Sequence, residues 1–151
     1  MSYVAAEARQ ELLDAIADAA DDIAYALAAL GEAFDALDEP TGDRLEEQLF
    51  RPVQHAYGRI QRTHAEFAGR HQLPTRTFAP ANQPAPARPG LLVEDASEAA
   101  LEADDKLATL QDSMKPIEVG DAELRAGLAE VRRQLDLVTQ RAPAFTRTLG
   151  R

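Results

Sequence analysis

No cysteine occurs in the 151 residues. Disulfides, thiolate nucleophiles, iron–sulfur clusters and cysteine zinc sites are therefore excluded, and a reducing compartment is permitted. Serine is scarce: Ser2, Ser97 and Ser113 lie in no nucleophile elbow, and neither G-x-x-x-x-G-K-[ST] nor G-x-G-x-x-G is present. Hydrolase, NTPase and dehydrogenase chemistry have no support. Glu-x-x-His is also missing, which removes the ligand pattern of carboxylate-bridged di-iron bundles. The longest uncharged stretch inside a helical pattern is the nine residues 23–31, far short of the ~20 that cross a bilayer, so no membrane span is expected. Glu7 and Arg9 stand where a signal peptide would have a basic start and an apolar run, which predicts a cytoplasmic protein.

What is present is apolar residues at 45% and a strong acidic excess. This length and composition predict one domain spanning residues 1–151, burying roughly 68–70% of its unfolded surface. Twenty-six acidic against sixteen basic residues give a net charge of −10, which repels phosphate backbones and anionic lipid, so neither nucleic acid nor membrane is an expected partner. The charge alternates along the chain: residues 1–39 carry −9 and 91–119 carry −6, whereas 40–72, 73–90 and 120–151 are mildly basic.

Apolar positions recur in alternating steps of three and four. Leu13, Ile16, Ala20, Ile23, Leu27, Leu30, Phe34 and Leu37 form one seam, and Phe50, Val53, Tyr57, Ile60, His64, Phe67 and His71 form a second. Val93, Ala96, Ala100, Ala103, Leu107, Leu110, Met114 and Ile117 form a third, and Leu124, Leu128, Val131, Leu135, Val138, Ala142, Phe145 and Leu149 a fourth. This is the periodicity of helices packed nearly parallel or antiparallel to one another. It predicts helices over about 3–38, 43–71, 91–117 and 121–148, with Pro40-Thr41-Gly42 ending the first, Thr41 or Asp43 capping the second and Asp121 capping the fourth. Pro52 lacks a backbone donor and clashes with the preceding turn, so the second helix either kinks there, the preferred reading, or begins with a short separate turn. Residues 73–90 hold five of the nine prolines and no acid, reading as a plain spacer although "PAPARP" contains a P-x-x-P spacing. At about 3.1 Å per residue such a linker reaches roughly 55 Å, longer than a 30-residue helix of about 45 Å. The direction of the third helix relative to the second is thus left open. The predicted fold is all-α, a four-helix bundle of two helical hairpins joined by a long proline-rich linker. Each hairpin pairs an acidic helix with a basic one, an arrangement that disfavours like-charge pairing.

The three histidines, His55, His64 and His71, fall within seventeen residues, yet their spacing is wrong for a shared metal. His55 and His64, nine apart, project to opposite sides of a helix at about 100° per residue. His64 and His71, seven apart, are separated by about 10.5 Å along the axis, too far for one zinc ion. His64 is the unusual one, because it interrupts an apolar seam and a buried imidazole needs a partner. Matching the first hairpin about its turn sets it level with Ile16, near Asp14 and Asp18. It reads either as a hydrogen-bonded core histidine or, with Tyr57 one heptad away, as a cofactor-binding group in the bundle interior.

Arg70, His71, Arg141, Arg147 and Arg151 sit late in their helices, where cations complement the dipole. Were the second and fourth helices parallel, these residues would gather at one pole as a docking patch for an anion or acidic partner. The acidic runs at Asp14, Asp18, Asp21 and Asp22, and at Glu94, Glu98 and Glu102, read as solvated helix faces. No metal, cofactor or catalytic residue is assigned. Ala17, Ala24 and Ala28, beside the first seam, would let another helix approach closely, although good helix propensity explains them equally well; the expected partner is another protein or, by self-association into a homo-oligomer, a second copy of the chain. The functional expectation is a non-enzymatic interaction or structural module. The alternative is a binder of a small molecule, metal or haem near His64 and Tyr57, and a cavity beside His64 would favour it.

Overall fold

The computed structural model describes residues 3–150, which form helices and connecting segments with no strand among them. The alanine-rich α1 (Tyr3–Asp35) ends three residues earlier than its apolar period suggests, because the chain tightens there: the Ala36 and Leu37 amides reach back only three residues, to Ala33 and Phe34. Asp38, rather than Thr41 or Asp43, caps the next helix, accepting from the Thr41 amide at 2.9 Å. Pro40 then stands in the first turn, where no donor is required.

From Glu39 the backbone stays helical to Arg70 through α2 (Glu39–Leu45), a π turn (Glu46–Phe50) and α3 (Arg51–Arg70). Pro52 explains the π turn. An ordinary helix would send the amide of residue 52 to the Gln48 carbonyl, and proline has no such donor. The backbone widens so that the Arg51 amide reaches the Glu46 carbonyl, and the freed Gln48 carbonyl accepts from Arg141 Nη1 at 3.1 Å. The helix thus runs without a break through Pro52 by this insertion, rather than beginning after a short separate turn.

Residues 71–88 form no helix. Pro89 opens α4 (Pro89–Asp112), which stops short of residue 117. Pro116 cannot supply the amide that would bond to the Asp112 carbonyl. Met114 turns into the left-handed region (φ 68°), and a short α5 (Lys115–Glu118) follows. Met114 and Ile117, assigned to the third seam by periodicity, are 46% and 59% exposed. Asp121 caps α6 (Ala122–Leu149) as expected, accepting from the Leu124 amide at 2.8 Å.

The long helices pack against one another: α1 against α3 and α4, and α6 against the same two. Polar contacts give the directions. Arg70 at the end of α3 bonds to Asp121 at the start of α6, while Arg141 late in α6 meets Gln48. Lys106 and Lys115 meet Asp22 and Glu11 on α1. Both contacts are therefore antiparallel, and α3 and α4 run in the same direction on opposite sides of the core. That core is dry: Ile16, Ile23, Leu30, Leu49, Ile60, Phe67, Leu107, Leu124, Leu128 and Leu135 are fully buried. Each such side chain contributes up to about 1.5–3 kcal/mol. Ala17 and Ala24 are buried within the chain itself, at 3% and 5% exposure, so they are not open to a second copy as the sequence suggested.

α3 packs tightly on α6 at Gly127, where a Cβ would lie 2.2 Å from Thr63 Oγ1 and 2.8 Å from Thr63 Cγ2. Gly127→Ala should therefore destabilise the protein, overpacking of about 1–3 kcal/mol outweighing the ~1 kcal/mol helix-propensity gain. Adding Thr63→Ala should recover most of the loss. Urea unfolding of both single variants and the double variant checks this, and a Gly127→Ala protein more stable than the parent would contradict it.

Candidate functional site

The three histidines go to three separate partners. His55 Nε2 lies 3.2 Å from Glu130 Oε1 on α6. His71 Nε2 lies 3.2 Å from Asp121 Oδ2. His64 is 3% exposed and meets the edge of Phe78 with ring centroids 5.2 Å apart. Phe78 belongs to the proline-rich segment, which folds back along α1 and α3. Arg76 bonds to Asp21 at 3.0 Å, Tyr57 Oη donates to the Ala79 carbonyl at 3.4 Å, and Gln83 donates to Glu32 at 2.7 Å. Tyr57 and His64 are thus both contacted by their own chain. The imidazole Nδ1 has no hydrogen-bond partner among the described residues, so a carboxylate or carbonyl bond, which with water made up the core-histidine reading, is absent at that atom. Desolvation, with a smaller contribution from Arg76, pushes the imidazole pKa below the ordinary 6.5, opposed by Asp14. His64 is held neutral. Tyr57 is pushed up, by burial and then by Asp21.

The basic side chains of the postulated docking patch do not gather, because α3 and α6 are antiparallel. Arg70 and His71 converge on Asp121: Arg70 Nε and Nη2 each donate at 2.9 Å, and Arg70 Nη1 also lies 2.9 Å from Glu123 Oε2. Burial pushes the Asp121 carboxyl up, but bonds from Arg70, the Leu124 amide and His71 outweigh it and hold the pKa at about 2. Arg141 is at the other end, occupied by the carbonyl that Pro52 frees. Arg147 is exposed two residues beyond Phe145, whose ring lies 5.8 Å from the Arg44 guanidinium. Arg151 lies outside the described residues. Arg70, His71 and Arg141 therefore act as fastenings between elements.

The acidic faces are the open part of the molecule. Along the α1–α4 contact runs a groove of about 570 Å³ lined by the apolar Ala15, Leu101 and Leu110, by four carboxylates, Asp18, Glu98, Glu102 and Asp105, and by two lysines, Lys106 and Lys115. It meets a hollow of about 260 Å³ beside Asp22, Tyr25 and Asp95 at the shared Glu98 and Glu102. Leu101 is 51% exposed and Tyr25 37%. Lys106 spans the two helices, 2.8 Å from Asp22 and 3.4 Å from Asp18. Its hydrogen bond to Asp22 is the main reason its pKa is raised. Among the described residues no three histidine, aspartate or glutamate side chains are grouped to hold a metal ion, and no helix is long and apolar enough to cross a membrane. Sequence reasoning missed this groove. Its available signal was Leu101, a leucine off the seam of α4 and flanked by Glu98 and Glu102.

Comparison of the chain with protein families, curated proteins and solved structures finds no match.

His64→Leu should leave stability at pH 7.5 unchanged or raise it by up to about 1–2 kcal/mol, because a buried nitrogen without a partner is removed. A depressed imidazole pKa means that the unfolded chain binds the proton first, so the parent should lose stability as pH falls through 6.5. The leucine variant should lose less over that interval. Urea unfolding at several pH values between 7.5 and 5 measures the difference, and parallel pH profiles would contradict the burial argument.

Proposed function

We propose that the chain is a four-helix bundle of two helical hairpins joined by the proline-rich segment, without catalytic chemistry of its own, acting as a cytoplasmic interaction module. Its working surface is the α1–α4 face, and its partner is a basic amphipathic helix. The observation that carries this reading is the exposed apolar floor at Leu101 and Tyr25 inside an acidic rim. A helix that lays an apolar face in such a groove and sets Lys or Arg against the rim uses a common mode of peptide recognition. Between Asp95 and Ser113 the groove follows α4 for about 27 Å, the length of some 18 helical residues. The excess of carboxylates over lysines on the rim favours a basic partner, as does the charge of the segments that supply it, −9 for 1–39 and −6 for 91–119.

The other reading, a small molecule, metal or haem held by His64 and Tyr57, is less well supported, since such a ligand would have to displace Phe78 and Ala79 from those side chains. Self-association through this same face is disfavoured because two copies would bring like-charged rims together.

The probe is an 18-residue amphipathic Leu/Lys peptide titrated into isotope-labelled protein, with a Leu/Glu peptide of the same pattern as control. Amide shifts should concentrate at residues 15–25 and 95–113, the Leu/Glu peptide should not bind, and Leu101→Gln should weaken binding about tenfold, as expected for the loss of one buried leucine. Shifts spread evenly over all acidic surfaces, or an unchanged affinity for Leu101→Gln, would overturn the proposal.

A further inference from the structure

A second hollow, of about 560 Å³, lies away from the α1–α4 face, between the last turns of α1, the π turn and the proline-rich segment. Its volume is that of a small-molecule site. Phe34 from α1 and Phe50 from the π turn supply aromatic wall, and Ala81 and Pro84 close it from the segment that crosses the bundle. Phe34 is 38% exposed, a large fraction for a phenylalanine. It is seated against Gly42, where a Cβ would press on the ring at 3.3 Å. Glu32, Asp35 and Glu46 line the same hollow.

The charges there are arranged against ordinary stability. The carboxyl end of a helix favours cations, yet the last turn of α1 holds no basic residue and presents Glu32 and Asp35 instead. Elsewhere on α1 four carboxylates meet cations, Glu11 with Lys115, Asp18 and Asp22 with Lys106, and Asp21 with Arg76, whereas Asp14 accepts only from the neutral Gln10 amide and Glu7 has no cation partner among the described residues. Among the described residues no lysine or arginine pairs with Glu32, Asp35 or Glu46, and Glu32 has only the neutral Gln83 amide. The π turn adds to this, because an inserted residue is a costly feature that recurs at functional sites. Here it puts Glu46 and Phe50 into one wall.

We propose that this hollow binds a small organic cation, an ammonium group on an aromatic or branched apolar body. The apolar body packs between Phe34, Phe50 and Pro84, and the ammonium lies among Glu32, Asp35 and Glu46, where it supplies the positive charge that the end of α1 lacks. Aromatic faces attract such cations in addition to the carboxylates.

Phenethylammonium is the probe, with 2-phenylethanol as its neutral counterpart and 3-phenylpropionate as its anionic one, each titrated into the full chain by calorimetry and amide shift mapping. Phenethylammonium should bind below about 1 mM, with shifts confined to residues 28–35, 46–50 and 81–84, and 2-phenylethanol should bind at least about tenfold more weakly. The propionate should not bind. Glu46→Gln and Asp35→Asn should each weaken the ammonium about three- to tenfold, and Phe34→Ala about tenfold. Asp35→Asn lies outside the π turn, so its effect stands even where Glu46→Gln disturbs that turn. Leu101→Gln, in the other groove, should leave amine binding intact. Equal affinity for the alcohol, shifts located elsewhere, or an affinity unmoved by both carboxylate variants would overturn the assignment.

Discussion

The eighteen residues between α3 and α4 must return the chain to the end of the molecule from which α2 set out, and the rest of the arrangement depends on that return. Because the segment spans the full height, α4 descends beside α1 rather than rising beside it, and α6 then ascends beside α3. Every contact between neighbouring long helices becomes antiparallel, so dipoles oppose across each contact and short turns suffice within each pair. The same crossing lays Phe78 on His64, Arg76 on Asp21 and Gln83 on Glu32. A segment whose composition reads as a spacer is thus part of the packed structure, with Leu73, Phe78 and Ala87 against the core. It closes one prospective site, at the imidazole, and helps to form another, beside Phe34.

The helical seams were legible in the sequence because burial of one stripe per helix forces an apolar repeat near 3.5 residues, and most of each stripe is buried, with Phe34, Met114 and Ile117 the exposed exceptions. Helix ends were less legible, since prolines act by position. Pro40 and Pro89 open helices, Pro52 is absorbed by a π turn, and Pro116 breaks the third seam two turns after Leu110 has left the solvent. Nothing local separates these cases. The outcome at Pro52 rests on Arg141, ninety residues away in α6, which takes up the freed carbonyl. The candidate grooves were hidden for a related reason. They are made by what neighbouring helices leave uncovered, and which helices are neighbours follows from the direction of the crossing segment, for which length gave reach but no heading.

The pairing of charges shows the consequence. Where α1 meets α3, and where α4 meets α6, an acidic helix stands beside a more basic one. The other two contacts are the opposite: acidic α1 lies against acidic α4, and α3 against α6, both of which carry more arginine. Coulomb repulsion between exposed carboxylates is screened within about 8–10 Å at physiological salt, so its cost here is small and Lys106 offsets part of it. The two helices can nevertheless lie close because each buries alanine, including Ala19 and Ala26 on α1 and Ala96, Ala100 and Ala103 on α4. Small side chains at the contact leave a shallow furrow rather than a ridge above it. Helix pairing therefore gathers two acidic rims around one apolar furrow. Exchanging α4 for a basic helix would erase the furrow's charge at little cost to the core, which is the physical reason for proposing this face as the interaction surface.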